Sequence, residues 1–122
     1  MITPVTFEIA KLLKEKGFNK RCSKAFLLKT FQPSNLFEDN ISVIKDAENY
    51  SNSEFEKYYR PTTSEVVMWL WNDYKIWIEV RKSYVGGFIP VIATYPRIEL
   101  ETYLTPTEAY IEGILYTLVN LL

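Results

Sequence analysis

The chain has 122 residues, of which 48% are hydrophobic and 24% charged, and this fits one globular domain, residues 1–122, with a core of its own. A formal net charge of −1 gives no field that would draw in nucleic acid or anionic lipid. The single cysteine, Cys22, leaves no internal disulfide framework and fits a reducing compartment.

The opening Met-Ile-Thr-Pro, with Glu8 close behind, has neither the basic stretch nor the apolar run of a secretion signal. No apolar run approaches the roughly 20 residues of a membrane-spanning helix, and a cytoplasmic setting is expected. Thr3-Pro4 reads as the first helix start, with threonine as cap and proline at the first helical position. Val5, Ile9, Leu12 and Leu13 follow at helical spacing. Gly17 supplies a left-handed stop, and Phe18 is placed to fold back on Leu13 in a Schellman ending.

Ala25 to Phe31 and Ile41 to Lys45 read as short strands joined through the turn residues Gln32-Pro33-Ser34-Asn35. The stretch 46–58 is polar and reads as an exposed loop. Thr62 and Glu65 then form a capping box for a second helix running to about Tyr74. Its apolar residues cover much of its girth, so it is expected to be central, with Leu70 and Trp71 in the core.

A hairpin follows. Pairing Ile78 with Tyr95 and Val80 with Ala93 would bury Ile78, Val80, Val91, Ala93 and part of Tyr95, leaving Trp77, Glu79, Arg81, Ile92 and Thr94 on the outer face. Gly86-Gly87 suits a two-residue turn. That closure, however, sets Pro90 in a hydrogen-bonded pair, and proline has no N–H to give, so a four-residue loop from Val85 to Phe88 is preferred. Thr105-Pro106-Thr107-Glu108, another capping box with proline at its first position, opens a third helix, along which Ile111, Ile114, Leu115, Leu118, Val119 and Leu122 recur at helical spacing. Gly113 inside it points to close contact with the sheet.

Three stretches carry a resemblance. They are Thr6-Phe7-Glu8-Ile9-Ala10 running on to Gly17-Phe18, Pro61-Thr62 with Trp69-Leu70 and Ile76-Trp77-Ile78-Glu79-Val80, and Thr105-Pro106-Thr107-Glu108-Ala109. Together they resemble small proteins of unknown function from bacteriophages and mobile elements of Bacteroides-group bacteria. The likeness leaves out Asn19 to Tyr58, and Arg60 stands where alanine is expected. It implies a fold and a genomic setting, and no catalytic residue.

Histidine is absent, which removes the commonest acid–base catalyst and metal ligand. Cys22 has Lys20, Arg21 and Lys24 nearby but no histidine partner. The carboxylate pairs Glu38/Asp39, Glu54/Glu56 and Glu99/Glu101 lack a third ligand. Gly86-Gly87 precedes no helix and is no phosphate loop. No enzyme activity, metal or cofactor is therefore expected.

The residues with most to offer are Trp77, Arg81, Ile92, Tyr95 and Arg97 on the outer hairpin face. They suit a protein interface, since Trp, Tyr and Arg are common anchors. The alternative is an aromatic and basic platform for single-stranded nucleic acid. The expected fold is α+β, three helices on a small antiparallel sheet built around the hairpin, in the order α-[β-β]-α-β-β-α. The expected role is that of a non-enzymatic phage or mobile-element accessory protein. It would bind a protein partner or itself, a homodimer included.

Overall fold

The computed structural model describes residues 3–29, 41–51, 55–94 and 96–122. The elements are α1 (Phe7–Glu15), β1 (Ala25–Lys29), β2 (Ile41–Ile44), β3 (Phe55–Tyr59), α2 (Thr63–Tyr74), β4 (Ile78–Lys82), β5 (Phe88–Ile92), β6 (Ile98–Glu99) and α3 (Pro106–Asn120). The class is α+β with three helices, as expected. The strands make two antiparallel sheets rather than one, ordered β2-β1-β3 and β4-β5-β6. The chain divides accordingly into two compact units, Val5–Pro61 and Thr62–Leu122, the latter joined by the first residues up to Pro4. The expected turn Gln32 to Asn35 lies outside the described residues.

In the Val5–Pro61 unit, α1 is capped by Thr6, whose hydroxyl accepts from the Ile9 N–H at 3.4 Å. This corrects the start at Thr3-Pro4. Both motifs suit a cap, but Thr3 and Pro4 are taken up in extended pairing with Thr62 and Thr63, a partner remote in sequence. The helix ends as its sequence indicates. Gly17 has φ +89°, its N–H donates to Lys14, and the Phe18 N–H donates to Leu13 at 2.9 Å, which is the Schellman pair of bonds.

The helix packs on β3 and buries Ile9, Ala10 and Leu13. Phe7 meets Phe26 and Tyr58 edge-on, at 5.4 and 5.3 Å between ring centroids. β1 is the central strand, so Ala25, Phe26 and Leu27 are all buried on its two faces. Arg60, unexpected from the resemblance, lays its guanidinium 4.7 Å from the Phe26 ring centroid and donates from Nε to the Val5 carbonyl.

The stretch 46–58 is not simply a loop. It holds a 3-10 turn at Ala47–Asn49 and most of β3. Ala47 is fully buried, and Lys57 Nζ donates to the carbonyls of Ala47 and Tyr50. Polar composition hid a strand whose pairing partner, β1, lies far away in the chain. Local pattern alone does not carry that information.

In the other unit, α2 opens with the expected capping box: Thr62 Oγ1 accepts from the Glu65 N–H, and Glu65 Oε1 accepts from the Thr62 N–H. The buried stripe is Thr63, Val66, Val67 and Leu70, with Trp69 beside it. Trp71, expected in the core, is 42% exposed, because the helix is turned so that the 63-66-67-70 stripe faces inward. Val80, Ile111 and Leu115 are half-buried, while Leu70, Ile78, Ile114 and Leu118 form the core proper.

The hairpin register differs by three residues from the expected one: Ile78 pairs with Ile92, Val80 with Pro90 and Lys82 with Phe88. The loop is Ser83 to Gly87, with Gly86 and Gly87 both at positive φ. This five-residue loop replaces the four-residue one expected from Val85 to Phe88, and Pro90 now stands opposite Val80. The Pro90 carbonyl accepts from Leu100 on the β6 side, so its missing N–H falls outside the β4 ladder. Ala93, expected inside, is exposed.

β5 is the central strand and not an edge, since β6 pairs along its other side. α3 lies on β4 and β5. A Cβ on Gly113 would sit 3.0 Å from Ile78 Cγ2 and 3.4 Å from Pro90 Cβ, which is the close approach the glycine permits.

Candidate functional site

The outward face of α2 carries Met68 and Trp71, 45% and 42% exposed. The helix then stops on Lys75, a non-glycine residue in the left-handed conformation at φ +57°. That sharp turn lets the Lys75 N–H donate to Trp71 and the Ile76 N–H to Leu70, and it sends the chain back along the helix. Trp77 therefore comes to rest against Trp71 edge-to-face, with ring centroids 6.0 Å apart. Lys75 Nζ lies 5.4 Å from the Trp71 ring centroid. Beside Trp77 opens a cleft of about 210 Å³ lined by Thr63, Ser64, Val67, Met68 and Tyr110. The result is a continuous aromatic and thioether surface with one cation at its margin.

The residues singled out from sequence divide. Trp77 is exposed and belongs to this surface. Ile92, expected as an outer anchor, is fully buried: in the actual register it lies opposite Ile78, on the face that α3 covers. Arg81 and Arg97 are exposed but each faces a carboxylate, Glu79 at 3.0 Å and Glu99 at 3.6 Å. Tyr95 lies outside the described residues, as do Glu38, Asp39 and Glu54. Met68 and Trp71 were missed as surface residues. The available signal was a helix with more large apolar residues than one buried face can take.

A second concavity, a groove of about 750 Å³, runs between the segment Glu99–Tyr103 and α3. Its lining combines the apolar Leu100, Leu115 and Val119 and the tyrosines Tyr103 and Tyr116 with the carboxylates Glu99, Glu101 and Glu112. Burial first, and then the nearby charges of Glu112 and Glu101, push the Tyr103 phenol above its ordinary range. Glu99 and Glu101, one of the carboxylate pairs of the sequence, both line this groove, although β6 itself ends at Glu99.

Cys22 is buried, and its thiol donates to the Lys20 carbonyl at 3.5 Å. Among the described residues no three His, Cys, Asp or Glu side chains gather to hold a metal ion, and no helix is long and apolar enough to cross a membrane. No family model, curated protein or solved structure matches the chain.

Proposed function

We propose that this chain is a non-enzymatic accessory protein of a phage or mobile element, acting in the cytoplasm by binding another protein through Met68, Trp71 and Trp77. The exposed Trp71–Trp77 pair beside a small cleft carries the reading. Tryptophan and methionine are enriched where interfaces bury their cores, and large rings next to a pocket are typical anchors. Leaving two indoles half in water gains nothing for the fold itself, since their burial is forgone. The genomic setting rests on the sequence resemblance alone. A nucleic-acid platform draws less support, because Arg81 and Arg97 are each occupied by a neighbouring carboxylate and Lys75 is the cation nearest the rings.

The test compares variants for binding to a protein captured from the native host. Trp71→Ala/Trp77→Ala should lose at least about 2 kcal/mol of affinity, roughly thirtyfold, with an unchanged far-ultraviolet spectrum. Arg81→Ala/Arg97→Ala should bind as the parent does. Equal binding by parent and tryptophan variant would remove the surface from consideration. Salt-sensitive, sub-micromolar binding of an oligothymidylate would restore the nucleic-acid reading.

A further inference from the structure

The charge of the chain is not evenly spread. The unit containing Thr62–Leu122 has four Lys/Arg against seven Asp/Glu, a net −3, while Val5–Pro61 has ten against eight, a net +2. The near-zero total therefore conceals two charged surfaces of opposite sign. The acidic one is concentrated at the groove between Glu99–Tyr103 and α3. Among the described residues, no cation is ion-paired with Glu101 or Glu112. The basic one is concentrated between α1 and β1, where Lys20, Arg21 and Lys24 are exposed and no carboxylate intervenes from Phe18 to Ala25. Among the described residues none of these three cations is ion-paired either.

We propose that the groove is a docking site for a second copy of this chain, which inserts its Lys20–Lys24 segment. The groove suits long cationic side chains in particular. Leu115 and Val119 offer apolar surface for their methylene stems, Tyr103 and Tyr116 line the groove with aromatic rings, and Glu101 and Glu112 offer carboxylates to the cations. The two surfaces are different parts of the molecule, so the contact is head-to-tail. It builds a ring or an open chain of copies rather than a two-fold dimer. Met68, Trp71 and Trp77 do not line this groove.

Light scattering at high protein concentration tests this directly. The mass should exceed that of a monomer at about 0.01 M salt, where the Debye length is about 30 Å, and return to the monomer near 1 M, where it is about 3 Å. Glu101→Lys/Glu112→Lys should weaken association at least about tenfold, and so should Lys20→Glu/Arg21→Glu. All four residues are at the surface, and circular dichroism confirms that each variant is folded. Mixed in equal amounts, the two variants should regain association, because an intact groove meets an intact basic segment and the reversed groove meets the reversed segment. A monomer at low salt overturns the proposal. So does association that survives groove reversal, or that is lost in Trp71→Ala/Trp77→Ala instead. Failure of the aromatic surface to bind a partner leaves these masses unchanged, so the two readings fail separately.

Discussion

Thr63 and Thr117 are both buried threonines in helices, and their hydroxyls are in opposite circumstances. The Thr117 hydroxyl donates to the Gly113 carbonyl at 2.8 Å, one turn back in α3. Among the described residues, the Thr63 hydroxyl, buried at the first turn of α2, has no hydrogen-bond partner. An unpaired buried hydroxyl costs roughly 1–3 kcal/mol, whereas a satisfied one contributes about 0.5–1.5. The same exchange should therefore have opposite signs at the two sites. Thr63→Val is expected to stabilise by about 1–3 kcal/mol, and Thr117→Val to destabilise by about 1 kcal/mol. Paired urea denaturation curves with a common slope would check this. A loss of stability in Thr63→Val would mean that its hydroxyl has a partner after all.

At the level of elements, the contact between α3 and the second sheet hangs on Gly113. Leucine there would be a better helix former than glycine by about 1 kcal/mol. It would also be driven into Ile78 and the rigid ring of Pro90, and overpacking of this kind costs about 1–3 kcal/mol. Gly113→Leu is expected to lower the thermal midpoint, and a rise would mean that the helix stands off from the sheet. This close approach was legible in the sequence, as were the Schellman ending at Gly17, the capping box at Thr62 and the proline start of α3, because each is specified by residues within one or two turns. What was not legible depends on partners distant in the chain. Thr3-Pro4 lost its helix to pairing with Thr62 and Thr63, β3 lay hidden in polar sequence, and the hairpin slid by three residues to suit Pro90, β6 and α3 together. A three-residue slip is odd, so it exchanged the faces of β5 relative to β4, and Ile92 went from proposed anchor to core. The candidate surface was half legible for the same reason. Trp77 was marked by its type, but the side of α2 that faces outward is chosen by packing, and Trp71 was assigned to the wrong side.

For the whole molecule, the absence of histidine shapes the dependence of stability on pH. No side chain of an ordinary kind titrates between about pH 6 and 8, so stability should be flat across that window. Neighbouring residues of β3 contribute to each limb, and Tyr103, also raised, adds to the alkaline one. Glu56 is held below the usual carboxylate range, first by a hydrogen bond from Tyr58 and also by Lys14, whose Nζ lies 3.2 Å from it. A lowered folded pKa means stability that is present above the unfolded value and lost as pH falls through the folded one, so the acid limb should begin below about pH 4.5. Tyr58 is pushed up to about 12, first by burial and then by its bond to Glu56. A raised folded pKa works the other way: the stability is present below the unfolded value of 10.0 and disappears as pH climbs toward 12. The loss attributable to this phenol is of the order of 1–3 kcal/mol. Tyr58→Phe, which cannot ionise, should flatten the fall between pH 10 and 12 while leaving the neutral plateau level. It should also make the acid limb shallower, because Glu56 loses its phenolic donor and its folded pKa returns toward the unfolded value. Thermal midpoints measured by circular dichroism from pH 3 to 12 would show both effects, and an alkaline limb equally steep in the variant would rule out Tyr58 as its source.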